Sequence, residues 1–152
     1  MTSSTDRIEK KRLLRAPRDR VWRALTDPAE LGQWFGMRLD ATTFEPGAHV
    51  RGRLTIPEYS HLVIEMWITK IEPQRLFALR WHPYAVDPAV DYSKEEPTLV
   101  EFVLEDAPGG TLLVATESGF DRIPLARRAE AYRMNTGGWE AQLENIARHV
   151  EG

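Results

Sequence analysis

The stretch YRMNTGGWEAQLENIARHV, residues 132–150, decides the fold. Tyr132, Thr136, Trp139, Leu143, Ile146 and Val150 follow one another at intervals of four, three, four, three and four, which puts them on one stripe of a helix. Arg128, Glu130, Glu140, Glu144 and Arg148 fall on the opposite face. The spacing predicts one long amphipathic C-terminal helix whose apolar stripe needs a surface to cover it. Gly137-Gly138 interrupts the run, at about 1 kcal/mol per glycine relative to alanine. Two accounts fit: close backbone packing or a kink, and space left open for a cavity or a hinge.

The covering surface lies upstream. From Gly36 the pattern alternates, and Pro46-Gly47, Pro57, Pro73, Pro97 and Pro108-Gly109-Gly110 cut the chain into strand lengths. The predicted strands are Met37–Thr42, His49–Ile56, Leu62–Ile71, Leu76–His82, Thr98–Glu105 and Thr111–Glu117. Val50, Gly52, Leu54 and Ile56 alternate with His49, Arg51, Arg53 and Thr55, as in an antiparallel sheet with one wet face. Further upstream, Ile8–Arg15 reads as a first strand. Ala16-Pro17 opens a helix with Val21, Trp22 and Leu25 on one face. Thr26-Asp27-Pro28 then starts a short helix, Ala29–Trp34, with Asp27 as its N-cap. The long irregular stretch is Pro83–Glu96, and a loop of that length in a compact domain is usually functional or mobile. It is expected to cover one end of a pocket.

The chain has 152 residues, the size of one domain, placed at 7–150 with Met1–Asp6 as a disordered or loosely held N-terminus. Its net charge of -3 is spread along the length, which argues against a nucleic-acid partner. There is no cysteine, so disulfides and thiolate chemistry are excluded. No apolar run approaches the roughly 18 residues that span a bilayer, and the opening lacks the apolar core of a secretory signal. The expected location is the cytoplasm, as a monomer or homodimer.

Strand, two short helices, a six-strand meander and a long helix make an α+β helix-grip fold: a curved antiparallel sheet of about six to seven strands wrapped round the C-terminal helix. The sequence resembles the START-like (SRPBCC) superfamily that includes the birch-pollen-allergen fold. The residues that carry the likeness are Arg15-Ala16-Pro17, Val21–Pro28, Leu31, Trp34-Phe35, Ile71-Glu72-Pro73, Phe102–Glu105, Glu117–Phe120 and Gly138-Trp139. Within that superfamily it is most similar to stand-alone bacterial relatives of the C-terminal domain of the activator of the ninety-kilodalton heat-shock chaperone ATPase, a stress-response protein. The resemblance implies a cavity between sheet and helix for a small molecule or lipid, and in a minority of members an enzyme. In many relatives the position of Glu117 resembles a histidine, a departure in this chain.

The chemistry readable from the residues is sparse. His49, His61, His82 and His149 show no metal spacing; the first three, at strand ends or in loops, read as solvated, and no nucleophile motif or phosphate-binding glycine loop occurs. No catalytic residue, metal or cofactor is expected. The aromatic residues are spread over every element that faces the interior, and Trp34, Met66, Trp81, Phe102 and Trp139 are expected to surround one continuous pocket. Glu117 is the candidate polar anchor if Leu113, Ala115 and Glu117 point inward, as the resemblance implies. The opposite parity, Leu112, Val114 and Thr116, is equally apolar. The expected function is binding of a small hydrophobic or amphipathic ligand. The alternatives are a domain that contacts a chaperone and an enzyme using the same cavity.

Overall fold

The structure is a computed structural model that describes residues 6–87 and 89–151. Seven strands, all paired antiparallel, form one sheet: β1 (Arg7–Leu14), β2 (Met37–Leu39), β3 (His49–Leu54), β4 (Val63–Glu72), β5 (Leu76–Trp81), β6 (Thr98–Ala107) and β7 (Gly110–Ser118). Their spatial order is β1-β7-β6-β5-β4-β3-β2, so the first strand closes one edge against the last. Two short helices, α1 (Arg18–Thr26) and α2 (Pro28–Phe35), carry the chain from one edge to the other. The long helix α3 (Leu125–Glu151) packs on β1, α1 and α2 and buries Trp139, Leu143, Ile146 and Val150. This is the predicted helix-grip arrangement.

Local sequence accounts for the element ends. Val21, Ala24 and Leu25 form the buried face of α1, and Trp34 ties α2 to it by donating its indole N–H to the Ala24 carbonyl at 2.8 Å. Asp27 occupies the N-cap of α2 but makes no side-chain bond there; Pro28 begins the helix one residue earlier than predicted, since its missing N–H needs no partner. The helix ends at Gly36, whose φ of 91° suits glycine. The strand predicted to reach Thr42 stops at Leu39. There the Asp40 side chain accepts the Arg51 N–H at 3.0 Å, so a carboxylate takes the donor that a continuing strand would have paired. In β4 the register shifts between Ile68 and Lys70, leaving Thr69 as an extra residue. That bulge pairs Ile68 with Leu79 and Ile71 with Phe77, so two isoleucines three apart serve one face.

The expectation that the N-terminus is loosely held concerns residues 1–5, which lie outside the described residues, and Asp6. The Asp6 carbonyl accepts the N–H groups of Gly119 and Phe120, and its side chain accepts that of Asp121. Among the described residues no helix is long and apolar enough to cross a membrane.

Candidate functional site

Glu117 is fully buried near the end of β7. It pairs in register with Val100 of β6 and Ile8 of β1, and Leu113, Ala115 and Glu117 face α3. Neighbouring elements deliver four donors to its carboxylate. Trp81, the last residue of β5, donates its indole N–H to Oε2 at 2.7 Å, and Thr98, which pairs with Trp81 at the start of β6, donates its hydroxyl to the same oxygen at 2.5 Å. Asn135 and Trp139 stand four residues apart on one face of α3, and both reach Oε1 at 2.8 Å. A buried carboxylate must be paired or hydrogen-bonded. Here all four partners are neutral, and an indole N–H can only donate, so the set suits an acceptor-only carboxylate.

Two of those partners, Trp81 and Asn135, also line a cavity of about 470 Å³. Its apolar wall comes from Phe35 at the end of α2, Leu54 at the end of β3, Ile56 just beyond it, and Val63 and Ile64 at the start of β4. Met134 joins it from α3, and Tyr84, Val86, Val90 and Tyr92 from the 83–96 loop. The cavity lies where β4 outruns its partner: β4 begins at Val63, but its pairing with β5 begins only at Met66 and Trp81. The 83–96 loop fills the far side of that gap. A second depression, of about 620 Å³ beside α2 and β2, has no aromatic side chain in its wall and is the weaker candidate.

Arg127, in the first turn of α3, fastens the loop at both ends. Its guanidinium donates to both oxygens of Glu95 at 2.5–3.1 Å and to the Pro83 carbonyl at 2.9 Å, and it lies 4.7 Å from the centre of the Tyr92 ring. Asp91 accepts the Ser93 N–H and hydroxyl, which shapes the turn at Tyr92–Lys94. His82 also lines the cavity, edge-on to Trp67, and its Nδ1 is buried without a hydrogen-bond partner. Burial lowers its pKa below 6.5; Glu95 and Glu65 oppose that shift and Arg127 adds to it.

Of the six residues read from the sequence, Trp81 alone is part of the cavity wall, and Glu117 sits directly behind it. Trp34, Met66, Phe102 and Trp139 are packed in the core. The reason is Trp139. Its ring lies 5.6 Å from those of Trp81 and Phe102 and 6.2 Å from that of Phe35, so it occupies the space in which the sequence places a pocket. His82, expected to be solvated, is half-buried, and the signal for it was its position next to Trp81 and Pro83. Gly137 and Gly138 are exposed within a continuous helix, and a Cβ on either would meet nothing within 4 Å, which removes close packing as their explanation. Among the described residues no three His, Cys, Asp or Glu side chains converge as metal ligands.

Comparisons with known proteins agree with this architecture. The family described as Activator of Hsp90 ATPase homolog 1-like protein matches residues 15–151. Protein MLL2253 of Mesorhizobium loti superposes with a TM-score of 0.75 at 23% identity, covering 95% of this chain and 96% of its own. A solution structure of a protein from Arthrobacter aurescens gives 0.79 at 15% identity, covering 99% and 90%. DynU16, from the dynemicin biosynthetic locus, gives 0.70 at 25% identity; the match covers 96% of this chain and 47% of DynU16. No curated protein matches in sequence.

Proposed function

This chain belongs to the family described as Activator of Hsp90 ATPase homolog 1-like protein, and on that premise we propose that it binds a small hydrophobic or amphipathic molecule in the cavity that Trp81, Asn135 and the 83–96 loop enclose. The observation that carries the reading is the cavity itself: about 470 Å³, walled by aromatic and aliphatic side chains with a few polar groups among them. Trp81 is the contact residue. Glu117 fixes its indole, and Trp34, Met66, Phe102 and Trp139 form the packed layer that keeps that wall in place. The dynemicin locus of one structurally similar protein accords with a small organic molecule as ligand. Of the acidic groups in the wall, Glu65 is paired with Arg51 and Asp91 is engaged in the turn by the Ser93 N–H and hydroxyl, an arrangement that favours binding over catalysis.

The test is saturable binding. Apolar probes should quench tryptophan fluorescence to a plateau and raise the melting temperature by mass action. Ile64→Trp, which places a large ring in the cavity, should abolish both effects in a protein that still folds. If no apolar probe binds saturably, and the protein instead co-elutes with the ninety-kilodalton chaperone, the chaperone-contact reading replaces this one.

A further inference from the structure

We propose that the ligand is a hydrophobic organic cation, an amine or quaternary ammonium on an apolar body. The inference rests on the cavity being the ligand site, as proposed above, and it names the charge that the site selects.

The charge inventory around the cavity is one-sided. Among the described residues no lysine or arginine lines it, and the acidic side chains in its wall are Glu65 and Asp91. Each of these is already engaged: Glu65 lies 3.2 Å from Arg51, and Asp91 holds the turn at Ser93. Of the nearby cations, Arg127 is bound to both oxygens of Glu95, and Arg133, which acts on the wall residue Tyr84, is accompanied there by Glu130. Glu117 differs from all of them. It is fully buried, its four partners are neutral, and two of those partners are wall residues. Dipoles from N–H and O–H donors stabilise a carboxylate without cancelling its net charge. In a water-poor interior that charge acts at longer range than it would in solvent. A cation in the cavity therefore supplies a counter-charge to Glu117, whereas a carboxylate ligand meets a buried anion and a wall without a lysine or arginine among the described residues.

The wall chemistry points the same way. Phe35, Trp81, Tyr84 and Tyr92 bring aromatic rings to the cavity, and the face of such a ring attracts an ammonium group. Trp81 is placed to act twice. Its N–H is held by Glu117, so electron density on the indole is raised on the side of a negative partner while its ring forms part of the wall. Asn135 gives an amide hydrogen to Glu117 and keeps its carbonyl oxygen as an acceptor for an ammonium N–H. The apolar remainder of the ligand is accommodated by Leu54, Ile56 and Ile64.

Three probes of equal chain length test the inference: decyltrimethylammonium, decanol and decanoate. Each is titrated calorimetrically below its micelle concentration, and only the binding abolished by Ile64→Trp is counted. The expected order is ammonium, then alcohol, then carboxylate, with the ammonium about tenfold tighter than the alcohol, the scale of one desolvated cation–π contact plus a buried charge. In Glu117→Gln that preference should shrink to about twofold or less. Decanoate binding as tightly as the ammonium, or an ammonium no tighter than the alcohol, overturns the inference and leaves the cavity reading intact. If none of the three binds, the cavity reading itself fails and this one with it. The ordering in the unsubstituted protein is decisive even if Glu117→Gln does not fold.

Discussion

Glu117→Gln is the perturbation that the geometry constrains best. The amide preserves the shape of the side chain but exchanges one acceptor oxygen for a donor. With its carbonyl toward Trp139 and Asn135, its NH2 group meets the Trp81 indole and the Thr98 hydroxyl. Thr98 can rotate to accept, but Trp81 can only donate, so one buried N–H is left facing another. An orphaned buried donor costs about 1–3 kcal/mol. The three remaining hydrogen bonds fall from charge-assisted to neutral, roughly half their strength, while release of a desolvated anion offsets part of that loss. The net expectation is a loss of about 2–4 kcal/mol with the fold retained. Glu117→Leu, which strands both indoles, should cost more. Urea unfolding followed by circular dichroism reads the difference as a lowered midpoint at constant slope. In a double-mutant cycle with Trp81→Phe, the coupling should be about 1 kcal/mol or more, because the second substitution removes the donor that the first orphans. Additive effects, or a glutamine variant as stable as the parent, would refute the four-donor reading of this carboxylate.

Other consequences can be measured separately. Arg127→Gln releases both ends of the 83–96 loop and leaves the Glu95 carboxylate unpaired, so amide exchange in that loop should rise by at least about tenfold while global stability falls by only about 1–2 kcal/mol; unchanged exchange would mean that Arg127 does not hold the loop. Gly137→Ala with Gly138→Ala should stabilise the protein by about 1–2 kcal/mol and raise Tm by a few degrees, since both positions are exposed and unobstructed; a lowered Tm would show that the glycines serve a conformation other than this one. Glu30 joins α2 to α1 and α3. Burial raises its pKa, but hydrogen bonds to His149, Arg20 and Arg23 outweigh that and lower it from 4.5 to about 2. A depressed carboxylate pKa contributes stability that is present above pH 4.5 and lost as pH falls through 2. That pH-dependent part should amount to about 1–2 kcal/mol after solvent screening and should be missing in Glu30→Gln.

The fold was legible because burial imposes period. The stripe from Trp139 to Val150 and the alternation in β3 and β6 are direct consequences of one face meeting the core. What the periodicity could not resolve were places where both faces are covered. Val114 and Thr116 are buried as well as Leu113, Ala115 and Glu117, so β7 carries no contrast from which to read its phase. The bulge at Thr69 and the early end of β2 at Asp40 depend on which neighbour offers a hydrogen bond, and that is set by distant residues. The site has the same character. Glu117 was singled out as a charge in an apolar run, but its donors come from 18, 19, 22 and 36 residues away. The cavity was misplaced because aromatic residues read equally well as lining and as filling. Trp139 fills the space, and the cavity forms instead where β4 extends past β5 and the 83–96 loop crosses over.

The central claim, that a small molecule occupies the cavity behind which Glu117 holds Trp81, can be tested through the indole N–H resonances of the protein's five tryptophans. Titration of a nitrogen-15-labelled sample with decyltrimethylammonium should move the Trp81 signal saturably, with a smaller change at Trp139 through the shared carboxylate. Trp22, on α1, should stay still. Ile64→Trp should cancel the Trp81 shift. A saturable shift centred on Trp22, or binding detected by calorimetry with the Trp81 resonance unmoved, would contradict the account.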